Sequence, residues 1–256
     1  MPNPLKGWAG RVGLGLLLLL AGAGLAAWHM HRFATTPLGP AAHPIMEVPQ
    51  GRSFNQVVDR MKRRGWIHRS LEMKVLGRFL GVAPHIHAGE YRLQPDMTPM
   101  DVLEALVGGH VVLHSVTLPE GWTVRRFLKR LQRKDNLNAK GLSESPKSQG
   151  LLALLGLKKQ GYESAEGWLF PETYRYPRGE DAGVILKKSH QRMESVLKKE
   201  WADREEGLPF DSPYKALILA SIVEKETAVP KERGMIAGVF VNRLEKGMRL
   251  QTDPTV

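Results

Sequence analysis

The chain has 256 residues and carries 37 Lys and Arg against 26 Asp and Glu, a formal charge of +11, with 42% hydrophobic and 25% charged residues. Such a length exceeds a stapled miniprotein and allows about two ordinary domains, and such a composition excludes wholesale disorder. Cysteine is absent, which removes disulfide frameworks, thiolate zinc sites and cysteine nucleophiles, so any catalysis must use oxygen or nitrogen groups.

Residues Val12 to Trp28 contain no charged side chain. At a helical rise of about 1.5 Å each they reach roughly 26 Å, close to a hydrocarbon core. The reading is one transmembrane helix over 12–30 behind a cytoplasmic N-terminus (1–11). Lys6 and Arg11 precede it, and Trp8 and Trp28 bracket it, as expected for an anchor whose N-terminus stays inside. A cleaved signal peptide is the competing reading, because Ala21-Gly22-Ala23 offers small residues to a peptidase; the apolar run is long for a signal core, which favours the retained anchor. An exported chain points away from DNA and RNA, so the positive charge is assigned to a membrane surface or a cell-wall polymer, and no nucleic-acid partner is expected.

The segment from Arg32 to Pro49 is rich in proline and lacks periodicity, which predicts an extended linker over 31–44. Ser53 followed by Val57 and Met61 predicts a capped amphipathic helix ending near Gly65. The same device recurs at Thr123, with Phe127 and Leu131 at the same offsets. Thr98 caps a further helix with Pro99 at its first position, and Gly108-Gly109 stops it. Alternating runs at Glu90 to Leu93 and Val111 to Leu118 predict strands. Residues 45–115 are therefore read as a small α+β module, weakly similar to the glycan-binding LysM module. His85 with His87 and His110 with His114 would share strand faces, but no carboxylate or third histidine sits at ligand spacing, so solvated histidines are expected and neither a metal nor a cofactor is assigned.

Glu166-Gly167-Trp168-Leu169-Phe170-Pro171-Glu172-Thr173-Tyr174 packs three aromatics and two acids into nine positions without periodicity. Such a loop could stack on sugar rings or plug a core, and the residues leave both open.

Ser212-Pro213 opens a helix reading Tyr214 to Thr227. In steps of about 100° from Ala216, Ile218, Ile222, Leu219 and Val223 fall at about 200°, 240°, 300° and 340°, and Glu226 at about 280°, within the apolar stripe. Glu224 falls about 200° away from it. A carboxyl held against apolar neighbours loses hydration of its ionised form and keeps its proton to higher pH, as a general acid requires. The competing reading is that Glu226 only marks the helix end and turns to water.

The uncharged N-terminal span, EGWLFPETY at 166–174, ASIVEKETAVPKER at 220–233 and VFVNRLEKGMRLQTDPTV at 239–256 together closely resemble the endolytic murein transglycosylases of the MltG (YceG-like) family. The resemblance implies an α+β protein of the cell inner membrane, single-pass, with a LysM-like module and a YceG-like catalytic domain (116–256) in the periplasm. It implies cleavage of the bond between N-acetylmuramic acid and N-acetylglucosamine in nascent peptidoglycan strands, leaving a 1,6-anhydro end. Its catalytic glutamate matches Glu226, and Glu226-Thr227 looks like the Glu-Ser pair of other lytic transglycosylases. Peptidoglycan strands are the implied partner, and penicillin-binding proteins a further one. Gln251, Thr252 and Asp253 are expected beside the cleft as sugar-binding groups, although polar turn chemistry explains them too. Relatives continue past TDPTV, so a catalytic domain shortened at its C-terminus is expected. A noncatalytic peptidoglycan-binding or scaffold protein is the alternative of another class.

Overall fold

The computed structural model describes residues 5–39 and 44–252. It divides the chain into two compact units, Met1–Val112 and Leu113–Val256.

In the first unit, helix α1 (Leu5–Thr35) contains the apolar stretch Leu14–Thr35, none of whose most apolar window is buried against protein. The sequence predicted an extended linker from residue 31. Instead the helix runs on without a break, and Phe33 and Ala34 are buried in the core of the first unit. The linker therefore begins no earlier than residue 36, because apolar contact at Phe33 and Ala34 holds the helix past residue 30. Beyond the helix, Leu38 and Gly39 donate backbone hydrogen bonds to Met97 O and Pro95 O.

Strand β1 (Ile45–Val48) pairs antiparallel with β2 (Gly89–Arg92), Ile45 opposite Arg92 and Val48 opposite Gly89. Between them lie α2 (Phe54–Arg63) and α3 (Ser70–Phe79), and α4 (Pro99–Gly108) follows. Ser53 and Gln56 form a reciprocal cap on α2, each side chain bonding the other's backbone N–H. Phe54, Val57, Val58 and Met61 then make one buried face. Gly77 lets α3 approach it: a Cβ there would lie 2.3 Å from the Phe54 ring. Thr98 and Asp101 cap α4 in the same reciprocal way, and Gly109, at φ 64°, ends it. His85 and His87 lie in an irregular segment ahead of β2 rather than on a strand face.

In the second unit, β3 (Leu113–Thr117) pairs antiparallel with β5 (Thr173–Pro177), and β4 (Leu137–Asn138) pairs parallel with β6 (Glu180–Asp181). Helices α5 (Val124–Gln132), α6 (Gln149–Leu154) and α7 (Ala182–Ala202) enclose the main core with them. The second Ser/Thr-capped helix takes the expected form, Thr123 Oγ1 accepting from Arg126 N–H. Asp181 caps α7, its Oδ1 accepting from Gly183 N–H at 2.7 Å.

The 166–174 segment divides its residues between the core and an open surface that Phe170 faces. Trp168, Leu169 and Tyr174 are buried, and the Tyr174 hydroxyl donates to Phe170 O at 2.8 Å. Trp168 lies flat on Tyr214, with ring centroids 5.4 Å apart and planes 5° from parallel. That stack joins the main core to α8 (Pro213–Glu226), which is followed by a short 3₁₀ turn (Pro230–Glu232) and α9 (Arg233–Glu245).

Candidate active site

Proline at the first position starts α8, although the Ser212 side chain makes no cap hydrogen bond. Two faces of this helix do different work. Leu219, Ile222 and Val223 pack with Phe240, Ile236 and Leu250 into a small separate core against α9. Tyr214, Leu217, Ile218 and Glu224 turn the other way and line an open cleft of about 590 Å³ shared with Trp122 and Phe170.

The polar groups of this cleft are spent on holding elements together. Glu224 pairs with Arg233 at 2.9 Å, and the Lys225 ammonium donates to Gly121 O at 2.6 Å. Glu166 accepts the backbone N–H of Val124 at 3.0 Å and so caps α5 from a distance in sequence. Glu226 is not among the cleft's walls, in line with the angular separation of Glu224 and Glu226.

Glu226 is the last residue of α8, and there the expectation from periodicity needs correction. Its side chain is exposed, not enclosed by the apolar stripe. The stripe is consumed by α9 through Val223 and Leu219, one and two turns earlier, and Ile218 is itself 45% exposed on the cleft side. Past Glu226 the backbone leaves the helix, with Thr227 at φ −143° and ψ 139°, so no further helical turn covers the carboxyl. Angular position on a wheel describes a helix interior and overstates enclosure in its final turn.

What singles Glu226 out is a partner far along the chain. The Thr252 hydroxyl, itself buried at 4% exposure, donates to Glu226 Oε2 at 2.7 Å. Several contacts bring it there. Gly247 and Met248 bond back to the end of α9, Met248 N–H to Arg243 O at 2.8 Å. The Arg243 guanidinium donates to Leu250 O, and Leu250 packs on the small core. Gln251 then takes φ 49°, a left-handed conformation that costs a non-glycine residue free energy and that persists here between two anchored neighbours.

The adjoining turn is held as firmly. Thr227 is buried at 8% exposure, donates to Glu232 Oε2 at 2.7 Å and accepts from Val229 N–H at 3.0 Å. Of the expected sugar-binding residues, Thr252 reaches the carboxyl, Gln251 is exposed beside it, and Asp253 lies outside the described residues. Glu232 and Arg243, which set this geometry, escaped the sequence reading: both sit inside the quoted motifs, but neither spacing nor periodicity signals where their side chains reach.

Chemically, the end of α8 offers one exposed carboxyl with one oxygen fixed and the other, Oε1, making no hydrogen bond among the described residues. A hydroxyl both donates and accepts, so Thr252 can serve either protonation state of its partner.

The sequence model of the YceG-like family matches residues 46–256. The chain belongs to that family. It is 28% identical over 238 residues to the endolytic murein transglycosylase of Streptococcus pneumoniae serotype 2, an alignment covering 80% of this chain and 41% of that protein. It is 24% identical over 225 residues to the endolytic murein transglycosylase of Bacillus subtilis, covering 82% of this chain and 61% of that one. The chain thus spans between two fifths and three fifths of the length of these relatives. A crystal structure of a YceG-like protein from Listeria monocytogenes is similar at 24% identity with a TM-score of 0.45, covering 82% of this chain and 73% of that one.

Proposed function

We propose that this chain is a membrane-anchored endolytic transglycosylase of peptidoglycan, with Glu226 as general acid and then base. The observation that carries the reading is the Thr252 to Glu226 hydrogen bond, which joins the end of α8 to a second motif of the family at one carboxyl. Family membership over residues 46–256 and relatives named endolytic murein transglycosylases support the substrate class.

In the reaction, protonated Glu226 donates to the glycosidic oxygen between N-acetylmuramic acid and N-acetylglucosamine as the C1–O bond breaks. The carboxylate then takes the proton of the C6 hydroxyl as that oxygen attacks C1, closing a 1,6-anhydro ring. Proton, leaving group and nucleophile all balance without water. Ordinary glycosidases need a second carboxylate to act as nucleophile or to activate water, whereas an intramolecular hydroxyl is already at high effective concentration. Exposure of Glu226 suits attack within a strand, since a carboxyl at an open helix end can meet a polymer laid across it. The bound sugar rings then supply the enclosure that the free protein lacks. Thr252 holds Oε2 throughout, and Gln251 and Asp253 are assigned to the N-acetyl sugars.

Around this site, α1 is assigned as a single-pass inner-membrane anchor with its N-terminus in the cytoplasm, on the strength of its apolar stretch. The remainder is assigned to the periplasm. The first unit is assigned as a LysM-like glycan-binding module, supported by its strand–helix–helix–strand order with the two strands antiparallel.

The test is digestion of purified glycan strands by the full chain and by Glu226→Gln, read by mass spectrometry. Ends in 1,6-anhydromuramic acid from the parent alone support the proposal. Reducing muramic acid ends overturn the mechanism, and strand binding without cleavage by either protein establishes the scaffold reading instead.

A further inference from the structure

Helix α3 is apolar on two opposite faces. Met73, Leu76 and Gly77 face the core of the first unit, where α2 packs. The outward face carries Leu71, Val75 and Phe79 at i, i+4 and i+8, with exposures of 72%, 48% and 87%. An aligned apolar stripe on the outside of a folded unit marks a surface that something else covers. The charges around it are distributed unevenly. The one acid of α3, Glu72, turns aside to His29 of α1 at 3.9 Å, and Lys74 turns inward to Asp59 at 2.6 Å. Arg69 and Arg78 remain exposed at the two ends of the stripe.

What lies against this face follows from α1. Its apolar stretch passes without a break into the core of the first unit through Phe33 and Ala34, so no flexible linker lets the unit drift from the level at which the apolar stretch ends. Trp28 closes the run without charged side chains, with the Arg32 guanidinium 5.6 Å from its ring centre, as in an interfacial belt. The start of α3 is level with it: Trp28, Arg32, His68 and Arg69 line one groove of about 380 Å³. A helix with aromatic and aliphatic residues outward, flanked by arginines and held at the end of an apolar span, has the composition of an interfacial helix.

We propose that the outward face of α3 is a membrane-contact surface, with Leu71, Val75 and Phe79 seated at the headgroup and acyl boundary of an anionic bilayer and Arg69 and Arg78 against lipid phosphates. The inference rests on the assignment of α1 as a membrane span, and it places the first unit flat on the membrane instead of projecting from it.

The absence of native cysteine makes single-cysteine labelling direct. Leu71→Cys, Phe79→Cys, Leu19→Cys in the apolar stretch and Asn55→Cys on α2, each in the full chain, are labelled with an environment-sensitive fluorophore. They are reconstituted in vesicles of phosphatidylethanolamine and phosphatidylglycerol containing lipids spin-labelled near the headgroup or deep in the acyl chain. The expected result is blue-shifted emission and loss of fluorescence to the shallow spin label at positions 71 and 79, loss to the deep label at position 19, and neither at position 55. Quenching at 19 with positions 71 and 79 behaving like 55 overturns the surface while the span stands. No quenching at 19 overturns the span and the surface with it. Labels at 71 and 79 that are shielded from aqueous iodide yet untouched by spin-labelled lipid show a protein partner or a second copy on this face and overturn the lipid.

Discussion

Thr252 illustrates how much one side chain carries. Its hydroxyl is buried while the carboxyl it touches is exposed, so under the proposed mechanism its removal should disturb catalysis more than folding. We predict that Thr252→Val lowers the rate of anhydro-end release about tenfold, the kinetic equivalent of one ordinary hydrogen bond, while the melting temperature stays close to the parent's. Thr252→Ser should restore most of the rate. Paired rate and melting measurements check both, and a rate unchanged in Thr252→Val would remove the positioning role. A second residue, Tyr91, reports on the first unit. Burial pushes its phenol up to about 12 from 10.0, and its hydroxyl donates to His87 O at 2.7 Å. A raised folded value means the native state holds the proton more tightly, so this contribution is full below pH 10 and is lost as pH rises towards 12. Tyr91→Phe should cost about 1 kcal/mol near neutral pH and show a shallower fall in stability on the alkaline side, as followed by denaturant titrations across that range.

At the scale of elements, the helix starts were legible because caps are local. Ser53, Thr98 and Thr123 each bond an N–H three residues on, a geometry that a few residues enforce without the rest of the chain. Asp181 follows the same rule, and Asp181→Ala should destabilise the second unit by about 1 kcal/mol in thermal or chemical melts. Close approach between elements was less legible. Gly77 sits mid-helix, where glycine is unfavourable, and its reason is the Phe54 ring. Gly77→Ala therefore gains helix propensity but loses more in packing, with a net loss of about 1–3 kcal/mol, whereas Gly77→Ala combined with Phe54→Leu should recover part of it. The enclosure of Glu226 was overestimated for a related reason: a helical wheel assigns angles, but the partner that fills the angle, here α9 through Phe240, ends its coverage before the final turn of α8.

For the whole molecule, the boundary between the apolar N-terminal stretch and the folded first unit is not where composition changes. Phe33 and Ala34 belong to both α1 and the core, so a chain starting at His29 should melt like the full chain, while one starting at Pro37 should lose stability on the scale of an emptied aromatic site, about 3–5 kcal/mol. Differential scanning calorimetry of the two shortened chains distinguishes these outcomes. The same continuity is what gives the exposed stripe on α3 a defined place relative to α1.

Several things about this protein were determined by its residues alone: an apolar N-terminal stretch, an α+β organisation, the capped helix starts, and motifs specific enough to mark the family. These signals are short in range, resting on neighbours within a few positions and on the hydrophobicity of continuous runs. The tertiary structure decided the rest. It buried Trp168, Leu169 and Tyr174 of the EGWLFPETY segment in the core, carried α1 five residues into the expected linker, left Glu226 open at a helix end and brought Thr252 to it across 26 residues. Each of those outcomes depends on which distant surface arrives to cover a side chain, and burial is a property of pairs of elements that no single stretch of sequence contains.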